Sequence, residues 1–356
     1  MTDEGKSMDY RRAGVNIDAA NQVVRNIGKI VRETYSERVL RDIGSFGAMY
    51  SLDTSHMEEP VLVSSIDGVG TKLKIALLVQ KYDTIGIDLV AHCVNDILVQ
   101  GARPLFFLDY LACHNLDPDI VTDMIRGVAR GCRYAGCALV GGEMAEMGDV
   151  YRDDEYDLAG TIVGVVDRKK IIDGTTISDG DVVIGLASSG LHTNGFTLAR
   201  RICFDMAGLE CTDEMPGTGR TAGDALLEPH RSYAKVIQLL MRIVTIKGMA
   251  HVTGGGITDN LPRVLPDGCG AEVELGSWET PAIFKFLHDA GNVDEAEMLH
   301  AFNMGIGYLV IVGEAQADKA LDALTQACED PKVIGRVVKG ENKVHYKGRV
   351  RYGAPD

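Results

Sequence analysis

Aromatic side chains are scarce. They make up 6% of the 356 residues, and Trp278 is the single tryptophan. That leaves little to stack on nucleobases. Basic residues are outnumbered, 36 Lys and Arg against 51 Asp and Glu, for a formal net charge of −15. The chain therefore lacks the positive footprint that phosphate-backbone binding requires, and no nucleic-acid partner is expected. No apolar run approaches transmembrane length, and Met1-Thr-Asp-Glu-Gly has no basic or apolar leader character. A soluble cytoplasmic protein without a membrane partner is expected. The eight cysteines include no C-x-x-C pair and lie mostly in apolar segments. They read as reduced core thiols, not as a zinc site or a disulfide framework. The P-loop spacing and the Rossmann glycine fingerprint are also absent.

What the chain does have is glycine at the ends of apolar runs. Val61 to Ile66 leads into Asp67-Gly-Val-Gly-Thr-Lys. This is a strand feeding a loop whose backbone can approach a ligand closely. The Gly68 and Gly70 N–H groups and Thr71 suit phosphate oxygens, Lys72 adds a positive charge, and Asp67 suits Mg²⁺. A tight turn with a solvated lysine is the plainer alternative. Gly86 to Gly101 reads as a helix of about four turns. Asp88, His92, Asn95 and Asp96 share one of its faces, on an otherwise apolar segment. Such a stripe needs water, an ion-pair network or a metal–phosphate site. A strand at Pro104 to Ala112 is interrupted by Asp109, which implies a hydrogen-bonded role. Cys137 to Val140 is a further strand, ending at Gly141-Gly142-Glu143, a third acid at a glycine-marked position.

At 356 residues two domains are expected. Polar residues from Asp167 to Gly180 mark the boundary, giving domains over 1–170 and 171–345 and a tail over 346–356. Residues 1–17 read as an irregular arm, and the chain beyond Lys339 as frayed. In the second half, a strand ends in Ser188-Ser189-Gly190-Leu-His192-Thr193-Asn194-Gly195 before a helix. Another ends in His251-Val-Thr-Gly254-Gly255-Gly256. Strand, glycine loop and helix start together suit an anion. His192 is a candidate proton donor, phosphate ligand or loop staple. Three successive glycines imply either close packing or close ligand approach. Pro229 to Ile246, Trp278 to Val293 and Asp294 to Phe302 read as helices. The alternation of strands and helices predicts α/β or α+β layers in both halves.

Taken together, Asp67-Gly-Val-Gly-Thr-Lys, Asp88-Leu-Val-Ala-x-Cys-Val-Asn-Asp96, Pro104-Leu-Phe-Phe-Leu-Asp-Tyr110, Gly141-Gly-Glu143, Ser188-Ser-Gly-x-His-Thr-Asn-Gly195, His251-x-Thr-Gly-Gly-Gly256 and Asn260-x-Pro-Arg263 resemble the phosphoribosylformylglycinamidine cyclo-ligase family. The resemblance covers about residues 9–340. It implies ATP-dependent closure of an imidazole ring on formylglycinamidine ribonucleotide, within purine biosynthesis. It also implies Mg²⁺, and a homodimer whose N-terminal sheets pair into a barrel beside C-terminal α/β domains, with the active site between domains. On this resemblance Asp67 and Asp96 are Mg²⁺–ATP ligands, with Asn95 and Glu143 in support. Lys72, Gly68 and Gly70 contact phosphate. Asp96, His192 and His251 are the catalytic candidates, and Ser189, Gly190, Thr193, Asn194, Gly195, Gly254, Gly255 and Gly256 form substrate or phosphate loops. Four places depart from the family pattern: His92 and Met304 where Met and Cys are usual, Met144 in place of Thr, and Gly148-Asp149 in place of Pro-Gly. Relatives on the same scaffold, such as thiamine-phosphate kinase, and a non-catalytic nucleotide-binding regulator are the alternatives. Selenophosphate synthetase needs a reactive N-terminal Cys or selenocysteine, whereas the first cysteine here is Cys93.

Overall fold

The computed structural model describes residues 16–327 and 329–353. Most of the expected N-terminal arm, Cys328 and the last three residues lie outside that range. The first domain runs α1 (Ile17–Arg32), β1 (Pro60–Gly68), α2 (Leu73–Val79), α3 (Ile85–Leu98), β2 (Arg103–Cys113), α4 (Pro118–Ala135), β3 (Ala138–Glu146) and β4 (Tyr156–Asp167). Its strands form one sheet in the order β1-β4-β2-β3, antiparallel except for the β2–β3 pair. Side chains alternate along β1. Leu62, Ser64 and Ile66 face outward, while the other parity, which includes Ser65 and Asp67, turns toward α3. That alternation is the period-2 geometry of a strand with one covered face.

Helix α3 is nearly all buried because it lies between the sheet and α4. Glycine makes the α3–α4 crossing close. A Cβ on Gly86 would meet Val128 N at 2.3 Å, and one on Gly127 would meet Asp83 O at 2.2 Å. Helix α4 starts on an Asp117 cap with Pro118 at its first position, and stops at Gly136 with φ of 77°.

The second domain contains β5 (Val182–Ala187), α5 (Phe196–Arg200), the hairpin β6 (Glu214–Met215) and β7 (Arg220–Thr221), α6 (Ala222–Leu226), α7 (Ala234–Leu240), β8 (Ile246–His251), α8 (Gly256–Asn260), β9 (Cys269–Glu274), α9 (Ala282–Gly291), α10 (Glu295–Ala301), β10 (Ile306–Val312), α11 (Glu314–Gln326), β11 (Lys332–Lys339) and β12 (Val344–Lys347). A π-helical turn, Arg201–Met206, extends α5. The six-stranded sheet has the order β12-β9-β11-β5-β10-β8. Only β12–β9 is parallel. The second domain is therefore an antiparallel α+β unit and not the expected α/β unit.

Three local expectations also change. The helix expected from Pro229 begins at Ala234, and residues 229–233 are an irregular strap. The 280s and 290s hold two shorter helices than expected. The tail is not frayed at its start, since β12 pairs with β9 and Tyr352 bridges to Thr280.

Candidate active site

The site lies where the C-terminal half of α3 and the end of β1 meet the second domain. Asp67 is the penultimate residue of β1. Its Oδ1 accepts the Gly68 N–H at 2.7 Å, and its Oδ2 lies 2.9 Å from His92 Nε2. Burial opposes its ionisation, but the His92 contact and the Gly68 N–H outweigh that and hold the carboxyl below its usual range. Asp96 lies one turn beyond His92 on α3. Its Oδ1 is 2.8 Å from His251 Nδ1, and its Oδ2 accepts from Ser65 Oγ at 3.0 Å. Here too burial is outweighed, chiefly by His251, and the carboxyl is held low.

The two carboxylates are joined by a continuous chain of side chains. His92 Nδ1 is 2.7 Å from Thr193 Oγ1, Thr193 Oγ1 is 3.3 Å from His230 Nδ1, and His230 Nε2 is 3.0 Å from His251 Nε2. Burial pushes His230 far below its ordinary pKa, and His251 below it in spite of Asp96. A cavity of about 750 Å³ opens beside this chain. It is lined by Ser65, Asp96, Gln100, His251, Asn260 and Arg263, among others. Two domains thus supply one wall each, the arrangement in which small-molecule sites commonly form. Two ionised carboxylates on neighbouring elements, each still about a third exposed, are a donor set that fits a hard divalent cation.

Several expected site residues lie elsewhere. Lys72 does not face the glycine loop. Its ammonium is fully buried, 2.9 Å from Asp88 and in hydrogen bonds to His192 O and Glu228 O. Burial lowers the Lys72 pKa and raises that of Asp88 against their mutual attraction. The pair fastens the first domain to the second, and Asp88 also accepts the His230 N–H at 2.6 Å. Asn95 is likewise a buried bracket. It donates to Arg231 O and accepts from Tyr233 N, which fixes the strap over 229–233.

His192 is 1% exposed and does not line the cavity. Its Nε2 accepts the Ser189 N–H at 3.2 Å, its ring stacks on His230 at 3.9 Å, and its backbone has φ of 61°. Of its three expected roles the structure gives it that of a loop staple. Glu143 is the clearest correction. Register runs Glu143–Tyr110–Ala159–Gly68, which puts it on the outward face, on β3 at the opposite edge of the sheet from Asp67. Three strand spacings amount to roughly 14 Å, so these two acids of one chain cannot share an ion.

The glycine loops serve packing more than an open cradle. Ser189 Oγ donates to Pro229 O, and Gly190 O accepts from Asn303. A Cβ on Gly195 would strike the Phe302 ring, and one on Gly256 would sit 2.0 Å from Leu299 O. Asn260 Nδ2 ties down Gly254 and Gly256 through their carbonyls. Gly255 has φ of 95°. Asn194 Nδ2 is buried without a partner. Thr71 hydrogen-bonds Thr197 across the domain boundary, and Gly70 has open space where a Cβ would go.

Sequence reasoning missed His230, Ser65, Arg231 and Tyr233. His230 carried one signal, a histidine directly after Pro229 and ahead of an apolar helix. Ser65 carried none beyond sharing its strand parity with Asp67.

Comparison with known proteins bears on this geometry. Residues 47–166 match the model of the N-terminal domain of AIR synthase related proteins, and residues 178–347 that of their C-terminal domain. A phosphoribosylformylglycinamidine cyclo-ligase from Desulfatibacillum aliphaticivorans is 52% identical over 338 residues, covering 95% of this chain and 97% of that one. One from Sorangium cellulosum is 50% identical over 349 residues, covering 98% of this chain and 100% of that one. Among solved structures, thiamine-monophosphate kinase from Stenotrophomonas maltophilia K279a superposes with a TM-score of 0.70 at 17% identity, covering 91% and 96% of the two chains. The hydrogenase maturation protein HypE in complex with ATP superposes at 0.64 with 19% identity, covering 90% of each. The last two likenesses speak to fold alone.

Proposed function

The chain belongs to the family of AIR synthase related proteins, and from that membership we propose that it is an ATP-dependent, carbon–nitrogen bond-forming ligase that closes formylglycinamidine ribonucleotide to 5-aminoimidazole ribonucleotide, in the cytoplasmic route to purines. The observation that carries this reading is identity of about half over nearly the whole length to cyclo-ligases. The kinase-like alternative rests on folds less than 20% identical. In the reaction the formyl oxygen takes the γ-phosphoryl group and ADP leaves. An amidine nitrogen attacks the same carbon, phosphate departs with the original oxygen, and a nitrogen proton is lost. Phosphorylation converts a poor leaving group into a good one, so the protein's task is alignment and charge neutralisation.

The residues present divide that task. Asp67 and Asp96 would hold Mg²⁺, which supplies charge neutralisation at the transferring phosphoryl group. The Ser65 hydroxyl and the His251 ring, through Nδ1, fix the Asp96 carboxylate beside the cavity. Arg263, at the same cavity, offers a fixed positive charge for the ribonucleotide phosphate. The backbone at Gly68 and Gly70, with Thr71, remains the candidate contact for the nucleotide's phosphates. Lys72, Asn95 and His192 hold these elements in place.

We also infer a homodimer. The outward face of the first sheet exposes large apolar side chains, Leu62 and Ile66 on β1 at 62% and 72% and Tyr110 on β2. A bare apolar sheet face is what a second copy would cover.

The test is to follow ADP and aminoimidazole ribonucleotide together in purified protein given Mg²⁺-ATP and formylglycinamidine ribonucleotide. The expected result is one-to-one formation of both, abolished in Asp96→Asn with the fold retained. ATP binding without turnover would favour a regulator, and ADP release with thiamine phosphate a kinase.

A further inference from the structure

Arg263 is the one Lys or Arg side chain that lines the cavity, where the acids are Asp96 and Asp173. Among the described residues its guanidinium meets no carboxylate. Its Nη1 donates instead to Asn260 Oδ1 at 3.1 Å. An exposed arginine is thus tethered to a buried amide, with most of its donors left over. We propose that Asn260 is a positioning residue for substrate selection: it orients Arg263 to grip the 5′-phosphate of the ribonucleotide, and so makes the enzyme reject the same substrate without its phosphate. The proposal rests on the reading of Arg263 given above.

Three observations carry it. The first is the fit of the amide. Asn260 is 2% exposed. Its Nδ2 donates to Gly254 O at 3.1 Å and to Gly256 O at 2.9 Å. Its Oδ1 accepts from Thr253 Oγ1 at 3.2 Å as well as from Arg263. Two N–H groups and two lone pairs are the whole capacity of an amide, and all four are used. Two carbonyl oxygens on one side admit only the NH₂ group there, so the oxygen must face Arg263.

The second is the frame beneath the arginine. Asn260 closes α8, and Arg263 lies in the 3₁₀ turn Pro262–Val264 that follows. Leu261 and Leu265, on either side, are core residues. The Val264 carbonyl packs against Gly174, where a Cβ would come within 1.9 Å. The backbone is therefore pinned, and Asn260 supplies the hold that the side chain would otherwise lack. An arginine gives up much rotamer freedom when it binds. One already held at Nη1 has given up part of it before the ligand arrives.

The third is the charge of the cavity. The Asp96 oxygens are engaged by His251 and Ser65, and Asp173 Oδ1 accepts from the Thr175 N–H and hydroxyl. Neither acid draws on Arg263. A phosphate entering between two carboxylates is repelled everywhere except at the guanidinium. With one Nη1 hydrogen given to Asn260, the remaining N–H groups still suffice for a bidentate grip on phosphate oxygens. When the phosphate is missing, those donors are left unpaired, which is how a polar site rejects an analogue that lacks one group.

The experiment is steady-state kinetics of the full-length protein with Mg²⁺-ATP, following ADP, on formylglycinamidine ribonucleotide and on the corresponding riboside. The wild type is expected to favour the ribonucleotide by at least about 100-fold in kcat/KM. Asn260→Ser should raise KM for the ribonucleotide about tenfold, with kcat and the KM for ATP within about twofold, and narrow the preference over the riboside by the same factor. Arg263→Met should do more. The double variant should do no more than Arg263→Met alone, because Asn260 acts through Arg263. Arg263→Lys changes nothing buried and keeps the charge without the fork. It should raise the same KM about tenfold, so the orienting role is tested even if Asn260→Ser fails to fold. A ribonucleotide KM that does not move in Asn260→Ser, or in Arg263→Lys, overturns the proposal. So do equal losses on ribonucleotide and riboside, or additive losses in the double variant. A wild type that turns over neither substrate sinks the cyclisation reading itself. A wild type that cyclises the ribonucleotide, with variants that fail in these ways, sinks only the role of Asn260.

Discussion

Asp109 places a carboxyl on the packed side of β2, over Gly142, where a Cβ would come within 2.5 Å of its Oδ1. Burial pushes its pKa up to about 7 from an ordinary 3.8. Folding therefore favours the protonated form. Below about pH 4 folded and unfolded chains are both protonated there and nothing is lost. Between pH 4 and 7 the unfolded chain ionises first and stability falls, by on the order of 4 kcal/mol in total. Above that range the loss is constant. Asp109→Asn should flatten this part of the stability profile, read as denaturation midpoints from pH 4 to 8. Equal slopes in both proteins would show that Asp109 is ionised when folded. The same residue shows what was legible at this scale. An acid inside an apolar strand signals a special environment, but not which one, and among the described residues no side chain hydrogen-bonds it as its position had implied. Lys72 and Asn95 follow the same rule. Their places beside a glycine loop and on a polar helix stripe pointed to ligand contact. Asp88 lies near Lys72 in sequence, but the carbonyls of Glu228 and Arg231 that Lys72 and Asn95 also bind lie more than 130 residues away, at a distance local pattern does not reach.

At the scale of elements, α3 is the part that sequence described best. Its four polar residues do share one side, since they recur at helical spacing. The structure divides them by depth: Asp88 and Asn95 grip the strap over 229–233, and His92 and Asp96 meet the site. That placement depends on the glycine crossing with α4. Gly127→Ala sets a methyl against the Asp83 carbonyl, so α3 must move or the helices must part. A loss of about 1–3 kcal/mol is expected, with weaker nucleotide binding because Asp96 moves with α3. Thermal unfolding and a nucleotide titration of the same sample would check both, and a neutral substitution would mean the crossing is looser than it looks. Elements that sequence missed had weak local signals. β9 is short, and β12 lies among charged residues that resemble a solvated tail. Yet Val344 and Tyr346 alternate with His345 and Lys347 at the strand period, and pairing with β9 together with the Tyr346–Thr258 hydrogen bond fixes them. The helix expected from Pro229 starts late because Asp88, Asn95 and Lys72 claim the backbone of the preceding residues.

At the scale of the molecule, the two domains are joined by polar groups that are buried on both sides. The Lys72–Asp88 pair and the His92-to-His251 chain would each be costly to expose singly, so relative motion of the domains opens the cavity at a price in unpaired polar groups. The first sheet has a different requirement. Its inner face is filled by α3, and its outer face leaves Leu62, Ile66 and Tyr110 in water. Ser64 lies between Leu62 and Ile66, and Val163, Thr161 and Leu108 continue the surface across β4 and β2 in register. If a second copy covers this face, one charge on it should suffice to separate the copies, because a carboxylate buried there would have no partner. Ile66→Asp is expected to sediment as a monomer where the parent sediments as a dimer. Its far-UV spectrum should be unchanged, since the side chain touches no core of its own subunit. A parent that is already monomeric at micromolar concentration would leave the apolar face to another partner. A variant that stays dimeric would move the interface to a different surface.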